Sequence, residues 1–368
     1  MLVLVGGRRG GRRRWLRWLA GAAIAAIGLW YVPPIHVRVE SAIAVARAVG
    51  LPVPGVLGSR VSEHRFVAGP GLVGNLYLPS WPAPGVVLVH GAARGGANDP
   101  RIERLASAIA RTGRVVFVPQ LELRFRVLAL GDIDRLVRSV VFLERFPFVD
   151  GSVGFVGISD GGSLALIAAA DPRIAASVGF VATFGAYLDL RHVIQGITTQ
   201  ATTPNGTVVR WNPAPQAMGI LRHQAERFLE PADRADLEAA LAGSMPPTSL
   251  SADARAVYDV LANRDVRLAL SLIDRLPPAI LDDIRAFSPL TYSGRVEAPV
   301  AVLQSTDDPA VPPSEAALLA EAYHAPQYLL HTFTHVTPGS LFRGIPDLVR
   351  ATSFTTWVLE HGAESGAP

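Results

Sequence analysis

Apolar and polar positions follow two different periods along most of this 368-residue chain. From about Val61 onward, short apolar runs at 72–78, 86–89, 114–118 and 153–156 read as strands, each bounded by glycine, proline or a polar turn. Between them, 99–110 and 131–143 read as helices. In the second of these, Ile133, Leu136, Val137, Val140 and Val141 recur with helical spacing. A helix over 160–170 and a strand over 174–181 continue the series. Later strands are predicted at 299–303 and 328–331, and later helices at 314–323 and about 347–360. Such alternation predicts an α/β protein: a mostly parallel sheet with helices on both faces. Between about 189 and 289 the alternation stops. That stretch is helix-rich, is broken by Pro and Asn clusters, and is predicted to be an insertion on an otherwise continuous sheet. There is no internal repeat.

The pattern before Val61 is of another kind. Arg8, Arg9, Arg12, Arg13, Arg14 and Arg17 precede an uncharged apolar run over 18–32 that Pro33 and Pro34 close. Counted from Trp15, a helix to Val32 would span roughly 27 Å at about 1.5 Å per residue, close to a hydrocarbon core of about 30 Å. Trp15, Trp18, Trp30 and Tyr31 suit the interfaces, and the arginines favour a cytoplasmic N-terminus with everything after Pro34 outside. No small-x-small cleavage site follows the run directly, so a retained single-pass anchor in the cell membrane is expected, with secretion after signal cleavage as the alternative. The run Arg12–Arg13–Arg14–Trp15–Leu16–Arg17 also resembles a twin-arginine export signal. Residues 41–49 read as a short amphipathic helix broken by Leu51–Pro52–Val53–Pro54–Gly55. The expected division is an anchor over 1–34, a linker over 35–60, the first part of the α/β core over 61–188, the insertion over 189–289, and the second part of the core over 290–368.

Composition narrows the chemistry. With 49% hydrophobic residues the chain can bury a large core. Cysteine is absent, which excludes disulfides, thiolate metal sites and cysteine nucleophiles. All 34 Lys+Arg residues are arginine, which excludes Schiff-base lysines and the P-loop lysine. The net charge of +3 is small, and much of the arginine sits at the N-terminus, so no nucleic-acid partner is expected.

The candidate chemistry starts at Gly157–Ile158–Ser159–Asp160–Gly161, between the strand at 153–156 and the helix that follows. A serine flanked by glycines at such a junction can project its hydroxyl over the carboxyl edge of a sheet, at a helix N-terminus whose amides can stabilise an oxyanion. Upstream, a strand ends at His90–Gly91–Ala92. Downstream, Asp308 ends a strand in Gln304–Ser305–Thr306–Asp307–Asp308–Pro309–Ala310–Val311–Pro312, and His335 follows another. In the order serine, acid, histidine, these residues together resemble the α/β-hydrolase superfamily. Gly157 to Gly162 and Asp308 to Pro312 look most like its dienelactone-hydrolase and serine-peptidase branches, although dienelactone hydrolases use a cysteine nucleophile that this chain lacks.

The resemblance implies a triad of Ser159 as nucleophile, His335 as general base and Asp308 as the group that orients the imidazole. His331 is the alternative base, expected to be structural within its strand, and Asp307 is the alternative acid. For either aspartate the bland role is capping the helix at 314–323. The backbone amides of Ala92 and Asp160 are the expected oxyanion hole. His90 is expected to be structural, and Arg94 a solvated loop arginine. The insertion is expected to form a lid, with Trp211, Met218, Ile220, Leu221 and Phe228 on an apolar underside or in ordinary helix packing. The implied activity is cleavage of a carboxylic ester, small or lipid-like, through an acyl-enzyme without metal or cofactor. An acyltransferase or peptidase with the same triad, and a non-catalytic binding protein on the same scaffold, are the alternatives.

Overall fold

Eight strands form one sheet in the computed structural model, which describes residues 33–338 and 344–362. In chain order they are β1 (Ser62–Gly69), β2 (Leu72–Leu78), β3 (Ala83–Val89), β4 (Val115–Pro119), β5 (Val149–Ile158), β6 (Val178–Phe184), β7 (Val300–Ser305) and β8 (Gln327–Leu330). Their spatial order is β1-β2-β4-β3-β5-β6-β7-β8. β2 runs antiparallel to β1 and β4, and β3 to β8 are mutually parallel. Parallel neighbours require crossovers, and the helices that supply them cover both faces of the sheet.

The period of two is visible in which side chains share a core. Val87 and Val89 of β3 and Val115 and Phe117 of β4 pack with Leu136, Val140 and Leu166 on one face. Val86 and Leu88, with Val116 and Val118, pack on the other face with Ile102, Ala106, Phe354 and Val358. The first face carries α3 (Leu130–Glu144), α4 (Asp160–Ala169) and α11 (Ser314–Ala322); the second carries α1 (Pro33–Ala48), α2 (Pro100–Ala110) and α12 (Ile345–His361). Asp99 shows why α2 starts where it does. Its side chain accepts from Arg101 N–H at 2.9 Å, and Pro100 needs no partner in the first turn.

Three expectations differ from the structure. The strand read at 174–181 is β6 at Val178–Phe184, because residues 171–177 form turns in which Ala175 and Val178 N–H donate to Asp171 and Ile174 carbonyls. Ile174 is buried there as an anchor of the turn, which imitates a strand in sequence. Residues 35–60 are not all linker. Helix α1 packs against α12 and α2 with Ala44 and Val45 buried, and it begins eight residues before the amphipathic stretch at 41–49. Strand β1 was not visible because it is a largely exposed, polar edge.

Between β6 and β7 the chain forms six helices among the described residues, α5 (Leu190–Thr199), α6 (Ala217–Glu226), α7 (Pro231–Leu241), α8 (Ala252–Ala262), α9 (Val266–Ile273) and α10 (Pro278–Ala286). A two-residue ladder pairs Ala201–Thr202 with Val209–Arg210. Ile194, Leu237, Val257, Val260, Ile273, Ile280 and Ile284 give this insertion a core of its own. The expected membrane span at 15–32 lies outside the described residues, and no helix within them is long and apolar enough to cross a membrane.

Candidate active site

Ser159 stands between the last residue of β5 and the first of α4 with φ 55° and ψ −136°, a conformation that non-glycine residues avoid. Its N–H donates to Phe184 O at 2.7 Å and its carbonyl accepts from Gly162 N–H at 2.8 Å, so the end of β6 and the first turn of α4 hold the strain in place. The flanking glycines are steric requirements. A Cβ on Gly157 would lie 2.4 Å from Gly162 Cα, and one on Gly161 would lie 2.3 Å from His90 O. The turn folds onto itself and onto the end of β3, leaving no room beside the serine.

Asp308 and His335 come from loops after β7 and β8, at the same carboxyl edge as Ser159. His335 Nδ1–H donates to Asp308 Oδ2 at 2.7 Å, which leaves Nε2 as the free ring nitrogen. The carboxylate is itself fixed. Its Oδ1 accepts from the amides of Ala310 and Val311 at 2.8 and 3.0 Å, and its Oδ2 also accepts from Gln304 Nε2 at 2.8 Å. These amides belong to its own turn, so Asp308 does not cap α11. Asp307 is exposed, and His331 follows β8 with its ring beside Thr306 Oγ1 at 3.2 Å; neither lines the cavity that holds Ser159. Arg94 is exposed and also lies off the cavity wall. Ser159 Oγ has no hydrogen-bond partner among the described residues, His335 included. The two side chains face one cavity without the serine–histidine bond made, and such bonds commonly tighten only with substrate.

The two expected oxyanion amides flank the serine. Asp160 is the first residue of α4, where N–H groups lack intrahelical partners. Ala92 lies outside helix and strand, and its N–H makes no hydrogen bond among the described residues. It follows Gly91, whose Cα is so near the serine that a Cβ there would sit 3.0 Å from Ser159 Cβ and 3.7 Å from its Oγ. His90 holds this turn. Its Nδ1–H donates to Gly91 O at 2.8 Å and its Nε2 accepts from Leu121 N–H at 3.2 Å, so the ring is a neutral strut. Burial lowers its pKa. Asp160 is partly accessible at the cavity wall, yet its carboxyl is shielded by protein. That desolvation pushes its pKa up, and the nearby His335 and the residue's own amide only partly oppose the shift.

Ser159, Asp160, Ala92 and His335 open onto a cavity of about 670 Å³ that extends into the insertion. Its walls include Ile194, Ile220, Leu221, Phe228, Val257 and Ile284, so three of the apolar residues singled out in the insertion line it. Met218 packs in the insertion's own core instead. Trp211 does something else: its Nε1–H donates to Asp308 O at 2.6 Å, tying the insertion to the loop of the acid. Gln304 and Gly185 are parts of the site that sequence reasoning missed. Gln304 was findable as an amide directly after the apolar run of β7. Gly185 was not, since its role depends on His335, 150 positions away by number.

Strand order, antiparallel β2, the strained serine turn and the positions of acid and histidine after β7 and β8 define an α/β-hydrolase fold with a helical insertion after β6. No protein-family model and no curated protein matches the sequence. Among solved structures the chain is similar to an acylaminoacyl peptidase from Pyrococcus horikoshii, with a TM-score of 0.48 and 15% identity over 83% of this chain and 42% of that one. It is similar to a hyperthermophilic esterase from the archaeon Pyrobaculum calidifontis, with a TM-score of 0.46 and 17% identity over 88% and 92% of the two chains. A dienelactone hydrolase from Anabaena variabilis gives a TM-score of 0.42 and 16% identity over 82% and 98%. The chain spans less than half the length of the peptidase it matches.

Proposed function

We propose that this protein is a serine hydrolase that cleaves a carboxylic ester through an acyl-enzyme. His335 Nε2 takes the proton of Ser159 as the hydroxyl attacks the ester carbonyl, and returns it to the leaving alcohol; a water then repeats the sequence on the acyl-enzyme. Asp308 holds the imidazole in the tautomer that makes this transfer possible. The amides of Ala92 and Asp160 receive the negative charge that develops on the carbonyl oxygen. The observation that carries this reading is the Asp308–His335 hydrogen bond on the same cavity as a serine held in a strained turn.

The helical insertion is read as a lid whose apolar walls accept the substrate's hydrocarbon part, and residues 15–32 as an anchor that keeps the catalytic domain on the outer side of the cell membrane. A fluorophosphonate probe tests the catalytic reading. Wild-type protein is expected to be labelled at Ser159, with labelling abolished in Ser159→Ala and strongly slowed in His335→Ala; a well-folded wild type that stays unlabelled refutes it.

A further inference from the structure

Three aspartates reach the cavity wall, and they differ in their company. Asp99 caps α2 and pairs with the Arg101 guanidinium at 2.8 Å. Asp283 of α10 accepts from Gln224 Nε2 at 3.3 Å, and Arg227 attracts it. Asp160 has no such partner. Among the described residues its carboxyl makes no ion pair and accepts no hydrogen bond from another side chain. The titratable groups acting on it are His335 and, behind that ring, the Asp308 carboxylate. Tyr187, which feels the charge of Asp160, is buried with its hydroxyl unpartnered and so supplies no counter-charge.

The place of Asp160 makes this lack of compensation consequential. It is bonded directly to Ser159, its amide is one of the two assigned above to the developing oxyanion, and it lines the same cavity as Ser159 and His335. A negative charge there opposes the charge that forms on attack. For a neutral substrate the residue is a handicap. For a substrate that brings a positive charge to the same spot it is an aid, because the carboxylate gains its missing partner as the oxyanion forms.

We propose that Asp160 is a specificity-determining residue, selecting esters whose acyl group carries an ammonium next to the scissile carbonyl and is otherwise apolar. This rests on the serine-hydrolase reading above. The ammonium sits against the Asp160 carboxylate, and the hydrocarbon part of the acyl group extends along Ile194, Val257 and Ile284 into the insertion. An ammonium at that place supplies the opposite charge that Asp160 lacks in the free protein.

The test compares leucine methyl ester with the ester in which a methyl group replaces the ammonium, following acid release at neutral pH. Wild type is expected to favour the cationic ester by at least about tenfold in kcat/KM, and Asp160→Asn to bring that ratio to within about threefold of unity. The ratio is the readout, so a general loss of activity in the variant cancels. Asp283→Asn is expected to leave the ratio within about twofold of wild type. A wild-type ratio near unity, a ratio that Asp160→Asn leaves unchanged, or a collapse caused by Asp283→Asn instead overturns the assignment to Asp160. Fluorophosphonate labelling of the same samples separates the two levels: labelled protein without the preference overturns this inference alone, and unlabelled protein overturns the hydrolase reading with it.

Discussion

Gln304 Nε2 and His335 Nδ1 donate to the same oxygen, Asp308 Oδ2, at 2.8 and 2.7 Å. Gln304 is fully buried in β7, directly after the apolar run Val300–Leu303, and its amide shares the load of fixing the carboxylate on which the imidazole hangs. Gln304→Leu keeps the volume and removes that donor. We expect kcat to fall about tenfold with KM little changed, since the loss concerns the orientation of the base rather than substrate contact, and stability to drop by roughly 1–2 kcal/mol. Equal kcat in variant and wild type would show that Asp308 needs no support from β7.

Gly185 offers a sharper test of the histidine's position. It follows β6 with φ 74°, and a Cβ built there would lie 3.0 Å from His335 Cε1 and 3.2 Å from its Nδ1. Gly185→Ala therefore meets two obstacles, a left-handed conformation costing about 1 kcal/mol and a methyl group pressed into the ring. The expected result is a loss of about 100-fold or more in fluorophosphonate labelling rate while the thermal midpoint falls only a few degrees. Unfolding without a selective loss of labelling would place the strain elsewhere.

These two residues also mark how far sequence carried. The α/β alternation, the serine turn and the order Ser159, Asp308, His335 were legible because each is local: periodicity, flanking glycines, a polar residue at a strand end. Structure then explained Gly157 and Gly161 in a way sequence could not: a Cβ added at either would come within 2.4 Å of Gly162 Cα or 2.3 Å of His90 O. Gly185 and Trp211 act on residues about 100 or more positions away, so their roles are not announced by any local pattern, whereas Gln304 acts on Asp308 four residues on and stands out as a buried amide in β7. The misplaced strand at 174–181 has the opposite cause. Buried Ile174 satisfies a turn with the same apolar residue that a strand would use.

Trp211 couples the insertion to the loop of Asp308. Its Nε1–H donates to Asp308 O at 2.6 Å, and nearby Ala214 N–H donates to Pro309 O at 2.7 Å. Trp211→Phe preserves most of the packing against Gly196 but orphans a buried carbonyl. A destabilisation of about 1–2 kcal/mol is expected, with kcat reduced roughly three- to tenfold as the Asp308 loop loosens. Urea titration and ester kinetics on one preparation check both halves. A variant as stable and as active as wild type would mean that the indole bond contributes nothing to the site.

Two histidines, fully buried His90 and half-buried His192, should respond to pH with opposite sign. His90 is held neutral as a strut beneath the Gly91–Ala92 turn, and burial lowers its pKa. The unfolded chain, with an ordinary histidine pKa of about 6.5, binds the proton first, so the stability from His90 is present above that value and is lost as pH falls through the lower folded value. His192 is the converse. Its Nδ1–H donates to Oε1 of buried Glu315 at 3.0 Å, and that hydrogen bond raises its pKa. Glu315 Oε2 also accepts from the amides of Leu188 and Asp189 where the insertion leaves the sheet, so the pair latches the base of the insertion to α11. Stability from protonated His192 is complete below about pH 6.5 and disappears as pH rises through the raised folded value. Thermal midpoints from pH 5 to 9 should therefore separate the variants: relative to wild type, His90→Gln should weaken the acid-side decline, and His192→Gln should weaken the decline on the alkaline side. Parallel curves for wild type and either variant would remove that histidine from the account.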